Sequence, residues 1–359
     1  MFQRLTPGVL EPPAFGLDIS DLTVKFLRVA RERGRPIIGY FGEIGIPSSL
    51  VVDGEIKDES ALSHALEREL RRSGVRERAV VASLPEEKSF VRVLELPKMK
   101  PADVPKAVRW EVEGVVPLPA EEMVYDFEVI SGPAFSREHL DVLVIAFPRA
   151  VIVSYERALA GAGLLPLALE LESQAIIRAL LRNLGEHPPA ILVDLGAART
   201  SIIIVAGGSL IFTKSIPIGG RDFEQAIAGA LGVSPEEARR LKIDVGLSKG
   251  YADGRLFQAL MPLLSTLVNE LTGALWFYRD HPRRSHAALP EIRRIILAGG
   301  DANLTGLEKY LSLAVKVETA IGDPFSSLEF PPGAIPPIPK SESLKYTTAI
   351  GLALRAIGQ

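Results

Sequence analysis

Apolar and polar positions alternate in three short runs near the start of the chain. Residues 15–19, 23–30 and 37–45 read as strands parted by polar or glycine-containing turns, which predicts a meander. SALSHALERELRRSG follows with the spacing of an amphipathic helix that closes near Gly74. The signals then recur. AILVDLG, TSIIIVAGG and SLIFTKSIPIGG predict a second meander, and helical spacing dominates 221–279 behind it. The two meanders share a turn: LDISDLTVKFLRV at 17–29 and VDLGAARTSIIIV at 193–205 each pass from an apolar residue and an Asp into a short polar turn and then a β-branched strand, 176 positions apart. A unit that is half the protein and occurs twice is a duplication, not a solenoid.

Between the meanders, 79–84 and 89–96 read as strands. PKMKPADVPKAVRWEVEGVVPLP reads as a helix framed by prolines, with Val104, Val108 and Val112 on one stripe. EMVYDFEVIS and DVLVIAFP add two strands, and a helix covers roughly 149–162, so 79–163 has the inventory of an inserted subdomain. LELESQAIIRALLRNLG predicts an apolar-faced helix over 169–185. EIRRIILAGGDANLTGLEKYLS reads as strand, Gly-Gly turn and helix; a Pro-rich loop and a final small-residue helix, TTAIGLALRAI, follow. The first 14 residues carry three prolines and no periodicity, and read as a flexible tail.

A chain of 359 residues, 47% apolar and 24% charged, suits two lobes or a few packed subdomains. Its net charge of −3, with both signs mixed, leaves no basic nucleic-acid stripe and no polybasic membrane patch. The absence of Cys excludes disulfides, thiolate zinc sites and Cys nucleophiles. The five His residues lack metal-ligand spacing; His281 and His286 fall in a polar loop. With no signal-peptide plan and no uncharged apolar run of about 18 residues, the reading is a soluble, cytoplasmic protein.

A duplicated meander with an acidic turn in each copy resembles the actin/Hsp70/sugar-kinase superfamily. DISDLT falls at the phosphate 1 loop, LELES at the first connecting helix, VDLGAART at phosphate 2, LAGGDA at the adenosine loop and TAIGLALR at the second connection. Within that superfamily the chain is similar to the PilM family of type IV pilus assembly proteins, cytoplasmic actin-like relatives of the division protein FtsA. The carrying phrases are ASLPEEKSFVRVLELPKM, EVEGVVPLPAEEMVYDFEVI, LIFTKSIPIGG, SPEEARRLK, NELTGALWFY and AIGLALR, from about residue 15 to the end. The resemblance implies an α/β, two-lobed actin-like ATPase fold (a duplicated ribonuclease H-like fold) with an FtsA-type inserted 1C subdomain. The implied division is a tail, 1–14; subdomain 1A, 15–78; 1C, 79–163; the 1A connecting helix, 164–188; 2A, 189–222; 2B, 223–290; and 291–359, returning through 2A to a last helix on 1A.

ATP with Mg²⁺ between two lobes needs backbone amides for its phosphates and carboxylates for a cation that keeps most of its water. Asp18 and Asp194 are the metal-side candidates. Ser20, Asp21 and Thr23 in one turn, with Gly196, Ala197 and Thr200 in the other, are the phosphate-side candidates. Either turn alone also reads as an ordinary hairpin; the matched pair in this order favours the nucleotide. By the resemblance, Glu170 points from the connecting helix toward the γ-phosphate and would orient a water; as residues alone it reads equally as a helix-start carboxylate beside the dipole. Ser234, Pro235 and Glu237 form a capping box, while Lys242 matches the family's ribose- or adenine-side lysine. Gly299 and Gly300 would let a flat base approach the backbone, or form a plain βα turn. Ser20 for the family's Gly, Arg239 for a frequent Glu, and Gly273–Ala274 for an Arg-Ser pair all depart on the nucleotide side, which favours ATP binding over turnover.

The resemblance further implies a groove between the first lobe and 1C for the cytoplasmic N-terminal tail of PilN, an inner-membrane protein. Val115, Val116, Pro117 and Leu118 are its candidate lining, against a reading as subdomain core and helix stop. Membrane association is then indirect, nucleic acid is not a partner, and self-association stays open. The rivals are an actin-fold ATPase or small-molecule kinase, whose acceptor-activating Asp has no evident place in the first lobe, and an FtsA-like polymer, which would use an amphipathic anchor after the last helix; ALRAIGQ offers none.

Overall fold

Two five-stranded sheets built to one plan dominate the computed structural model, which describes residues 12–32, 34–130, 138–181, 187–280, 290–330 and 335–358. The first half contains β1 (Ala14–Ile19), β2 (Thr23–Glu32), β3 (Arg35–Gly45), β4 (Val51–Val52), β5 (Glu55–Ile56), α1 (Glu59–Arg72), β6 (Ala79–Leu84), β7 (Phe90–Pro97), α2 (Val104–Val115), β8 (Met123–Ile130), β9 (His139–Pro148), α3 (Arg149–Gly161), β10 (Leu165–Leu171) and α4 (Glu172–Leu180). The second contains β11 (Ala190–Leu195), β12 (Thr200–Ala206), β13 (Ser209–Ile216), α5 (Gly220–Leu231), α6 (Pro235–Asp244), α7 (Arg255–Asp280), β14 (Arg294–Ala298), α8 (Leu307–Val315), β15 (Glu318–Ile321), α9 (Lys340–Ser343) and α10 (Thr347–Ala356). The expected flexible tail and the His281–His286 loop lie outside the described residues, except for 12–14.

The sheets run β10-β6-β1-β2-β3 and β13-β12-β11-β14-β15. In each, a three-stranded antiparallel meander continues into two parallel strands beside its first strand. Interior position explains the composition: β1 and β12 have a strand on either side and are covered on both faces, so every residue is buried and the apolar run is nearly continuous. Asp18 interrupts β1 at 6% exposure, and a carboxylate at that depth has a cost that packing alone does not offset.

One face of the first sheet packs Phe15, Leu17 and Phe26 on Leu62, Leu66, Tyr155 and Leu159 of α1 and α3. The other face receives α10, whose residues from Thr347 to Leu354 are all buried. Glycine makes that approach possible. A Cβ on Gly16 would stand 2.4 Å from the Ala349 carbonyl oxygen, and one on Gly351 would stand 1.8 Å from that of Ala175 in α4. Gly351→Ala is therefore expected to force α10 and α4 apart and cost about 2 kcal/mol or more, read as a melting temperature lowered by several degrees. The second sheet turns Leu192, Ile203 and Val205 toward the first lobe's core, and packs Ile191, Val193, Ile202 and Ile204 beneath α5 and the Leu256–Leu260–Leu264–Leu267–Leu271 stripe of α7.

The chain differs from its sequence reading in two places. The insert's own sheet, β7-β9-β8, with α2 upon it, runs only from 90 to 148 around Leu94, Val108, Val112 and Val144. β6 and α3, grouped with the insert by pattern, belong to the first sheet and its core, because β6 pairs in parallel with both β1 and β10. The helix expected from 169 starts at Glu172, and 165–171 is an edge strand. Leucine at 165, 167, 169 and 171 is the period-2 signal that marks it.

Candidate functional site

The two acidic turns meet. Ser20 N–H donates to the Thr23 carbonyl at 3.0 Å and Gly196 N–H to the Arg199 carbonyl at 2.9 Å, the same closure displaced by 176 residues. In register, Asp18 lies opposite Lys25 and Asp194 opposite Ser201, again the same pair of positions. Asp18, Ser20, Asp21, Thr23, Asp194, Gly196, Ala197, Gly299 and Gly300 line one cleft between the lobes. The positive φ of 84° at Gly299 carries the chain past β11, where a Cβ would stand 2.7 Å from Asp194 Oδ1.

The cleft is rich in buried acid. Asp18 Oδ1 accepts from Ser83 Oγ at 3.1 Å, and Ser83 Oγ accepts from the Ile19 amide at 2.9 Å. Burial raises the Asp18 carboxyl, while Lys25 and the Ser83 hydrogen bond pull it back. Burial, then the charge of Asp18, pushes Asp194 up to about 7. Glu172, at the first turn of α4, is raised well above its ordinary value by burial and then by Asp18, Glu87, Glu86 and Asp194. Lys25 Nζ donates to Thr23 Oγ1 at 2.9 Å, and Ser20 Oγ donates to the Thr23 carbonyl at 2.8 Å, so the serine in the first turn braces it. Among the described residues no three acidic or His side chains stand close enough to hold a metal directly. The donor set fits a hydrated divalent cation beside a polyphosphate: carboxylates raised chiefly by burial, two lysines, Lys25 and Lys345, and two tight turns offering amides. The cleft holds about 100 Å³, below the several hundred typical of ligand pockets.

Several candidates stand elsewhere. Glu170 does not line the cleft: it is fully buried on β10, with Arg178 Nη1 at 2.6 Å from Oε1 and Arg355 on Oε2. The strand turns its side chain away from the crevice, and Glu172 faces it instead. Thr200 is buried and donates to the Ile218 carbonyl at 2.7 Å. Lys242 is also buried, 2.7 Å from Glu224 and 2.5 Å from Asp301, because the capped helix α6 turns Ala238, Leu241 and Lys242 inward. Val116 lies in the insert's core, Leu118 packs against that core, and Val115 and Pro117 are exposed at the end of α2. Sequence reasoning missed Lys25, Glu87, Glu172 and Arg199 in the cleft. Lys25 had a signal, its antiparallel register with Asp18.

A larger groove, about 540 Å³, separates β10 from β8. Both are edge strands, of the first sheet and of the insert's sheet. Leu165, Leu167, Tyr125 and Phe147 give it apolar walls. Buried within it, Asp126 Oδ2 and Gln174 Oε1 accept no hydrogen bond from the described residues.

Comparison with known proteins agrees with this architecture. The chain is similar to the PilM–PilN type IV pilus biogenesis complex, at 26% identity and a TM-score of 0.81 over 97% of this chain and 100% of that one. MreB5 of Spiroplasma citri bound to ADP shares the fold at 14% identity and a TM-score of 0.51, over 96% and 95% of the two chains. Cell division protein FtsA of Rhizobium meliloti (strain 1021) is 27% identical over 179 residues, 45% of this chain and 39% of FtsA, so the match spans about two-fifths of that relative. Residues 16–357 match the family model of type IV pilus assembly protein PilM. The chain belongs to the PilM family of type IV pilus assembly proteins.

Proposed function

We propose that this protein is a nucleotide-responsive scaffold on the cytoplasmic side of the pilus machine, which seats the N-terminal tail of a PilN-type inner-membrane protein between β8 and β10. The groove carries this reading. Two unpaired sheet edges offer main-chain donors and acceptors to an extended peptide, and the leucines and aromatics between them offer side-chain pockets. The unpartnered acceptors of Asp126 and Gln174 favour a tail with an amide or cationic donor at that point. Among the described residues no helix is long and apolar enough to cross a membrane, which suits attachment through a partner.

Calorimetry with a synthetic peptide of the PilN-type tail, with and without Mg·ATP, tests the reading. Leu167→Asp places a charge on an exposed edge position and is expected to weaken the peptide about tenfold or more without altering the fold. No heat of binding in either nucleotide state would remove the proposal.

In the cleft, the turns at 20–23 and 196–199 and Lys25 would hold phosphates, Asp18 and Asp194 would hold Mg²⁺ through water, and Gly299–Gly300 would face the base. With Mg·ATP bound, the Mg²⁺ would supply the positive charge that lets Asp18 and Asp194 ionise together, and the polyphosphate would accept from the turn amides. Glu172 is the carboxylate positioned to orient a water, in place of Glu170.

A further inference from the structure

We propose that Arg199 is a clasp that holds the two lobes shut across the cleft, so that its release admits the ligand. Arg199 ends the second lobe's turn and reaches three carboxylates of the first lobe. Its Nη2 lies 2.8 Å from Asp53 Oδ1 and 3.7 Å from Asp21 Oδ2, and its Nε lies 3.2 Å from Glu87 Oε1. These acids come from three separate segments: the β1–β2 turn, the β4–β5 turn and the short turn after β6.

The receptor for this side chain is preorganised. The Asp53–Gly54 turn has φ of 50° and 72°, the left-handed pair that suits an Asp-Gly hairpin. Gly54 N–H donates to Asp21 Oδ1 at 3.0 Å, and Tyr155 Oη donates to the Gly54 carbonyl at 3.1 Å. A Cβ on Gly54 would stand 2.4 Å from Pro85 and 2.8 Å from Glu87, so the turn sits hard against the element that carries the third acid. Arg199 is only 20% exposed and its partners Asp21 and Glu87 are 16% and 14%, which shelters these two pairs, whereas Asp53, which accepts its hydrogen bond, is 73% exposed and open to screening by salt. Glu87, raised by burial, is pulled back first by Arg199. The cleft behind the clasp holds about 100 Å³, too little for a nucleotide. A phosphate offers a guanidinium the same forked acceptor as a carboxylate, so a polyphosphate can take Arg199 from the acids as it enters. The clasp rests on the ion pairs alone; that nucleotide releases it rests on the reading of the cleft given above.

The chain has no Cys, so the full-length protein can carry two spin labels through Ser60→Cys in the first lobe and Glu236→Cys in the second, both exposed positions. Double electron–electron resonance then reads the distance between lobes. Without ligand, the labelled parent is expected to give one narrow distribution, and Arg199→Ala a longer and broader one. Asp53→Asn keeps a residue that tolerates the left-handed turn and is expected to lengthen the distance part-way. Raising NaCl should move the parent part-way toward Arg199→Ala, through the exposed Asp53 pair, and leave that variant unchanged. Mg·ATP should associate with Arg199→Ala about tenfold faster, as for a protein whose competent state is no longer a minority. A distance distribution unchanged in Arg199→Ala overturns the clasp, including the case in which Mg·ATP merely binds more weakly. Should Arg199→Ala fail to fold by circular dichroism, Arg199→Gln replaces it under the same criterion. Lengthened distances with no Mg·ATP binding to any variant would keep the clasp and defeat the nucleotide reading.

Discussion

Asp194→Asn is expected to abolish Mg·ATP binding and, in the same protein, to raise the melting temperature at pH 8 by about 3 °C. The two effects have one cause. Asp194 sits where its carboxyl is pushed up to about 7 from 3.8, first by burial and then by Asp18. Between about pH 4 and 7 the folded state therefore keeps a proton that the unfolded chain has released. Folded protein binds more protons across that window, so stability falls as pH rises through it, and the full loss is present above 7. Each pKa unit corresponds to about 1.4 kcal/mol, reduced here because the side chain is not wholly shut from solvent. A gain of about 2 kcal/mol, or roughly 3 °C, is the expected size for the uncharged variant at pH 8, shrinking toward zero near pH 4. Melting curves at pH 5 and pH 8 check the stability arm, and isothermal titration with Mg·ATP checks the binding arm. Unchanged affinity, or a lower melting temperature at pH 8, would count against a cation site at Asp194.

That trade explains which parts of the molecule were legible in sequence. The duplication was, because a strand end, an Asp and a turn are local features, and the same chemistry at 18–23 and 194–199 wrote itself twice. Asp18, Asp194 and the two turns come together because each closes its own sheet's first hairpin at the end facing the other lobe. What depends on closure of the lobes was not legible. Arg199 reads as a polar turn residue until Asp21, Asp53 and Glu87 are brought around it. Thr200 and Lys242 carried the right residue types in the right order, yet each is turned inward by a partner distant in sequence, Ile218 for one and Asp301 for the other. The insert's boundary was hidden for the same reason, since β6 is placed by β1 and β10 and not by its neighbours in the chain.

The second large effect is expected at Glu170, and it has the opposite sign to that at Asp194. Glu170→Ala should lower the melting temperature by about 4 °C, because it leaves Arg178 and Arg355 facing each other across a vacated, buried position. Removing one member of a buried ionic group costs about 3–5 kcal/mol, since the remaining charges lose an acceptor while staying largely desolvated. The arginines are 20% and 25% exposed, which places the expectation at the lower end of that range. Arg178 Nη1 also donates to the Gly351 carbonyl at 3.0 Å, so its displacement loosens α10 where the helix approaches α4 most closely. Glu170→Gln keeps the volume and one acceptor and should lose less. Glu172→Gln, two residues along, is the control. Its carboxyl is already driven toward the protonated form by burial and the cleft's other acids, so the amide should leave the ligand-free fold as stable as before or more so, while altering the response to Mg·ATP. Loss of stability at Glu172 with none at Glu170 would invert the two roles and return Glu170 to the cleft.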